Sequence, residues 1–106
     1  MARLLFGGSA ALVALVAAGV SQAAAPDPER GETLARRWCA ACHVVSDSQT
    51  LGTDNVPTFA AIAARPGFNA KQIARFLRDP HPKMPDMQLD AGEAGDLAAY
   101  IASLRK

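Results

Sequence analysis

The stretch RRWCAACHVV, Arg36 to Val45, holds both cysteines of a 106-residue chain. Two alanines separate Cys39 from Cys42, and His43 follows directly. A pair at this spacing has three chemistries open to it: a redox disulfide, half of a metal site, or covalent anchorage of a larger group. The sequence on either side decides among them, and with that choice it decides what the chain folds around.

The N-terminal side bears on the compartment. Arg3 supplies a positive charge, and from Leu4 to Val20 the residues are only Leu, Phe, Gly, Ser, Ala and Val. Ser21-Gln22-Ala23 then gives the small-x-small pattern of a signal-peptidase site, with Ala24 and Ala25 behind it. This is the layout of a secretory signal peptide. The expected division is a signal peptide over 1–23 and one domain over 24–106, with Ala25 as the second choice of cleavage point. An uncleaved anchor is the competing reading, although the apolar run is at the lower limit for a membrane span. Cleavage predicts a periplasmic protein with no membrane attachment.

A domain this short buries a modest share of its surface, and such domains lean on disulfides, metals or cofactors. One cysteine pair two residues apart closes too small a loop to stabilise much. Eleven Lys and Arg face ten Asp and Glu, and removal of Arg3 makes the two equal. That balance argues against a nucleic-acid partner, which requires a basic face.

Outward from the cysteines the pattern is helical. Asp27 is placed to cap a first helix, with Pro28 in its first turn and Glu29 and Glu32 toward its positive end. Leu34 and Trp38 stand four apart on one face, and the helix runs into Cys39–His43. From Val44 to Phe59 the chain is polar and turn-rich, a loop. A short helix over Phe59–Ala64 ends at Pro66-Gly67. Asn69 with Gln72 marks the start of the next helix, Phe68 and Ile73 form a hydrophobic staple, and Ile73, Phe76 and Leu77 make its apolar face. Asp79-Pro80 ends it. The last helix begins at Asp90 with Glu93 three residues on, and Leu97, Tyr100, Ile101 and Leu104 form its apolar stripe. Arg105 and Lys106 suit its negative end. No stretch alternates as a strand does. The expected fold is all-α, three main helices around one bound group.

An all-α setting argues against the redox-dithiol reading, whose pair ordinarily follows a strand, and leaves it as a distant alternative that predicts a colourless protein. Zinc fares no better. Adjacent Cys42 and His43 hardly share one tetrahedron, and no second Cys or His pair completes a site. A structural disulfide leaves His43 unused. The reading that uses all three residues is covalent haem: each thiol adds to one vinyl group, and His43 becomes the proximal iron ligand. C-x-x-C-H is the attachment signature, and export agrees with it. One haem c per chain is expected, held by Cys39, Cys42 and His43.

With these residues in view, the chain resembles the class I c-type cytochromes, small monohaem electron carriers, over Glu29–Leu104. Gly31 stands eight residues before Cys39, where the family has a first-helix glycine. Leu97 and Tyr100 stand where its last helix carries apolar and aromatic residues. The resemblance implies that these two helices cross closely at Gly31. It implies that the Pro57 carbonyl accepts a hydrogen bond from the second nitrogen of His43, a contact that orients a ligand ring. It also implies a sixth ligand between the last two helices, where Met84, Met87 and His81 are the candidates. Met84-Pro85 resembles the ligand motif of many bacterial members, and Pro82 and Pro85 stiffen the backbone around it. Met87 then packs on the haem or the loop surface, and His81 is a loop histidine whose ligation would lower the potential.

Leu34, Trp38, Phe59, Ile62, Phe76, Leu77 and Leu97 are expected to wall the cofactor. Lys71, Arg75, Arg78 and Lys83 are a solvated face or a docking ring for an acidic partner. The expected function is a soluble monomeric carrier passing single electrons between redox proteins, and not an enzyme. A haem subunit held permanently in a periplasmic oxidoreductase is the alternative. A ligand-binding haem protein requires an open sixth position, which Met84 argues against.

Overall fold

Each helix begins where a side chain satisfies its free amides. In the computed structural model, which describes residues 4–5, 7–16, 25–49, 55–79 and 83–106, four α-helices are formed. They are α1 (Pro28–Leu34), α2 (Phe59–Ala63), α3 (Ala70–Arg78) and α4 (Ala91–Ser103). The Asp27 carboxylate accepts from the amides of Glu29 and Arg30 at the head of α1. Thr58 caps α2 through Ala61, and Asn69 caps α3 through Gln72. Asp90 and Glu93 form a full reciprocal capping box on α4. Among the described residues there is no strand.

The first helix departs from expectation at its end. It does not continue as an α-helix into the cysteines. Over Ala35–Cys39 the turn widens to a π-helix, and the Ala40 amide reaches the Ala35 carbonyl at 3.0 Å. Ala35 and Cys39 are buried by this turn. Trp38 is carried off the face it would share with Leu34 and stays 47% exposed. A π turn in an otherwise regular helix often marks a functional site.

α1 and α4 cross at Gly31. A Cβ on Gly31 would collide with the Asp96 carbonyl and lie 2.8 Å from Tyr100 Cβ, so no residue with a side chain fits. The backbone amide of Asp27 donates to Asp96 Oδ1 at 2.8 Å, and Arg30 Nε stands 3.8 Å from Asp96 Oδ2. The crossing is therefore tied at the start of α1 as well as packed at its middle.

The core gathers on α4. Leu97, Tyr100 and Ile101 are buried, with Ala35, Val45, Phe59, Ala63 and Leu89 around them. Leu104 packs at the edge. Ile73, Ala74 and Leu77 bring α3 against this core. Phe76 was expected on the same face but is 50% exposed, because the apolar stripe of α3 is centred on 73, 74 and 77 and leaves position 76 at its margin. Arg105 lies beyond α4, which ends at Ser103. Its guanidinium serves another helix: it donates to the Ala63 and Arg65 carbonyls at the end of α2, at 2.8 and 3.1 Å.

Residues 4–5 and 7–16 form no regular structure, and their leucines and valines are exposed. Among the described residues no helix is long and apolar enough to cross a membrane. The expected cleavage point after Ala23 lies outside the described residues.

Candidate functional site

The widened turn delivers Cys39 to the protein interior, and the chain then folds back on itself. The amides of Cys42 and His43 both donate to the Cys39 carbonyl, at 3.1 and 2.8 Å. This tight turn puts Cys39 inside, Cys42 at the surface and His43 inside again. Both thiols are free. Burial pushes the Cys39 thiol up to about 11. Among the described residues no cluster of three or more His, Cys, Asp and Glu is placed to hold a metal ion.

His43 is 8% exposed, and its Nδ1 lies 2.6 Å from the Pro57 carbonyl oxygen. A carbonyl only accepts, so Nδ1 carries the proton, and in the neutral ring that tautomer puts the lone pair on Nε2. The contact expected of Pro57 is present. The Phe59 ring, at the first position of α2, packs on the imidazole with centroids 5.4 Å apart, and Phe59 in turn meets Tyr100 at 6.4 Å. Among the described residues Nε2 has no protein hydrogen-bond partner. A buried imidazole with a free basic nitrogen, held by its other nitrogen, has the form of a metal ligand. Two thiols stand within four residues of it. The donor set fits a haem joined through Cys39 and Cys42 with His43 toward the iron.

The three carbonyls after the turn are each bound from a different direction. The His43 carbonyl accepts from Gln49 Nε2 at 2.8 Å, the Val44 carbonyl from the Phe59 amide at 3.0 Å, and the Val45 carbonyl from the Tyr100 hydroxyl at 2.6 Å. Sequence reasoning missed Gln49 and the Tyr100 hydroxyl. Tyr100 had a signal: a tyrosine on a buried stripe brings a hydroxyl that must find a partner. Gln49 had none, since it lies in a polar loop.

Of the expected sixth ligands, Met84 and Met87 are described and His81 lies outside the described residues. Met87 is half-buried against the core. Met84 is half-buried and is not part of that core. The loop after it is locally fixed: the Asp86 carboxylate accepts from the Gln88 amide at 2.9 Å, and Gln88 adopts a left-handed backbone, φ 53°. Of the expected cofactor wall, Phe59 and Leu97 are buried, and Leu34, Ile62 and Leu77 are half-buried. Trp38 and Phe76 are half exposed and lie outside the protein core. Lys71, Arg75, Arg78 and Lys83 are all exposed.

The chain belongs to the c-type cytochromes, for residues 26–101 match the family described as cytochrome c oxidase, cbb3-type, subunit III. It is also 53% identical over 94 residues to cytochrome c-552 of Bradyrhizobium diazoefficiens, a match covering 89% of this chain and 90% of that protein. No solved structure matches. The protein is therefore a cytochrome of electron transfer, with haem c as the cofactor its family implies and redox proteins as its partners.

Proposed function

We propose that this is a periplasmic monohaem carrier, exported on residues 1–23, that passes single electrons between larger redox proteins. Haem supplies one-electron exchange between ferric and ferrous iron when bound. The polypeptide does the rest. Cys39 and Cys42 hold the cofactor covalently as thioethers. His43 presents Nε2 to the iron, with its ring fixed by Pro57 and Phe59. Met84 offers its thioether from the opposite loop, and the neighbouring proline limits the entropy lost in holding a weak ligand in place. His43 and Met84 would both hold the iron, so that little in the chain would rearrange as the haem gave up or took an electron, and no substrate site is required.

The observation that carries this reading is His43 itself: a buried imidazole, next to Cys42, with Nδ1 on the Pro57 carbonyl and, among the described residues, no hydrogen-bond partner on Nε2. Its burial would be costly for a histidine with no task, since a polar ring taken out of water must have partners for its nitrogens.

The family description names an oxidase subunit, and that favours a second reading, a haem subunit held in such a complex. Purification in mild detergent separates the two: a carrier leaves the membrane fraction as a small free protein, and a subunit stays with its complex.

The first test is optical. The exported protein is examined oxidised and reduced, before and after carbon monoxide. A c-type reduced spectrum, a weak far-red sulfur-to-iron band when oxidised and no response to carbon monoxide are expected. A response to carbon monoxide overturns the carrier reading in favour of ligand binding. A colourless protein from cells competent in haem attachment overturns the whole assignment.

A further inference from the structure

The backbone of the His43 segment is held by a single side-chain amide from outside it. The chain turns at Ser46–Gln49, where the Gln49 amide donates to the Ser46 carbonyl at 3.2 Å, and this turn sends the Gln49 side chain back toward the histidine. Gln49 Nε2 donates to the carbonyls of Ala40 and His43, at 2.9 and 2.8 Å. Gln49 Oε1 accepts from the Val45 amide at 2.8 Å. Two acceptors at one end and a donor at the other fix the amide in one orientation.

We propose that Gln49 is a positioning residue for His43, clamping the backbone on both sides of it so that the imidazole meets the iron at a fixed tilt. The inference rests on His43 being the axial ligand. The ring itself is oriented by Pro57 at Nδ1, but a ring is only as fixed as the backbone that bears it. Gln49 spans that backbone from Ala40, between the cysteines, to Val45, beyond the histidine. Only glutamine fits the arrangement. Asparagine is one methylene shorter. Glutamate sets an anionic oxygen against two carbonyl oxygens. Methionine has the length but no hydrogen bonds. Outer contacts of this kind tune a metal by orienting its ligand.

The test uses the full-length holoprotein and the variants Gln49→Met and Gln49→Glu. Asn69→Ala, which removes the cap of α3, is a control that weakens the fold elsewhere. Three quantities are read: hydrogen exchange at the Val45 amide, the His43 ring proton resonances, and the midpoint potential. In Gln49→Met exchange at Val45 quickens by roughly two- to tenfold, the range that loss of a hydrogen bond of ordinary net strength gives. The His43 resonances and the potential shift in both Gln49 variants and hold in Asn69→Ala. If neither Gln49 variant shifts them, or if Asn69→Ala shifts them equally, the positioning role is overturned. If the Gln49 variants do not accumulate, the wild-type side-chain amide decides. Slow exchange of both Gln49 Nε2 protons supports the clamp, and exchange at the rate of an exposed glutamine overturns it. A wild type with a His/Met spectrum and insensitive variants overturns only the Gln49 assignment. A wild type whose iron is not bound by His43 overturns the reading beneath it.

Discussion

Tyr100 on the last helix donates its hydroxyl hydrogen to the carbonyl of Val45, two residues past His43, over 2.6 Å. The same tyrosine places its Cβ beside Gly31 where α1 crosses α4. One side chain therefore connects the helix crossing with the candidate iron-ligand segment. Stability and site geometry are coupled through it, since both partners are buried.

Tyr100→Phe keeps the ring and deletes the bond. The Val45 carbonyl is left without that partner, and a cost of about 1–3 kcal/mol is expected. Urea unfolding of the holoprotein measures it. Burial, followed by the nearby Glu32 carboxylate, also holds the phenol above its ordinary value of 10.0. An acid whose folded value is raised contributes stability that is complete below its unfolded value and lost as pH rises through the folded one. The alkaline decline of stability, beginning above pH 10, should be shallower in Tyr100→Phe.

Gly31→Ala sets propensity against packing. Alanine favours a helix by about 1 kcal/mol over glycine. At position 31 its methyl would strike the Asp96 backbone, which cannot swing aside as a flexible side chain does. Overpacking of this kind costs about 1–3 kcal/mol or more, so the net change is destabilising. A lower thermal midpoint checks it; a raised midpoint shows that the helices separate freely.

Acid should loosen the start of α1. The Arg30 amide, against the opposing effect of desolvation and with lesser help from the Glu29 amide and the Arg30 guanidinium, holds the Asp27 carboxyl below its ordinary value of 3.8. A group depressed on folding contributes stability that is present above its unfolded value and lost as pH falls through the folded one. Stability should therefore decline below pH 3.8, and Asp27→Asn should flatten that decline. Unfolding midpoints measured across this range test the sign directly.

These positions show what a sequence of this kind discloses. Caps are local, so Asp27, Asn69 and Asp90 were legible from residue types alone. Only Asp90 has the full reciprocal box, since Asn69 receives from Gln72 without a return bond among the described contacts. The haem-site reading rests on Cys39, Cys42 and His43, three residues in a row of five. Gly31 and Pro57 were legible only through resemblance, because a glycine in a helix and a proline in a loop have commoner explanations. The π turn was not legible. It buries Ala35 and Cys39 together, and no residue type in the local chain signals that. Phe76 misled because an apolar residue next to Leu77 reads as core until the stripe is anchored on its neighbours. Gln49 was invisible because it binds backbone groups, which have no sequence signature.

The two methionines of the loop separate cleanly by substitution. Met87 packs on the core, so Met87→Ala should cost on the order of 1–2 kcal/mol, a half-buried share of the usual Met→Ala loss. The far-red sulfur-to-iron band should survive it. Met84 is not part of that core, so Met84→Ala should cost the fold less than Met87→Ala and remove the band. It should also let reduced protein bind carbon monoxide and lower the potential, since methionine ligation raises it. The diagnostic pattern is the crossing of two effects: stability falls more in Met87→Ala, and the spectrum changes only in Met84→Ala. If the band instead vanishes with Met87, the thioether comes from the other position. If the band is absent from the parent as well as from both variants, His81 is the next residue to replace, because a histidine on both sides of the iron gives no sulfur band.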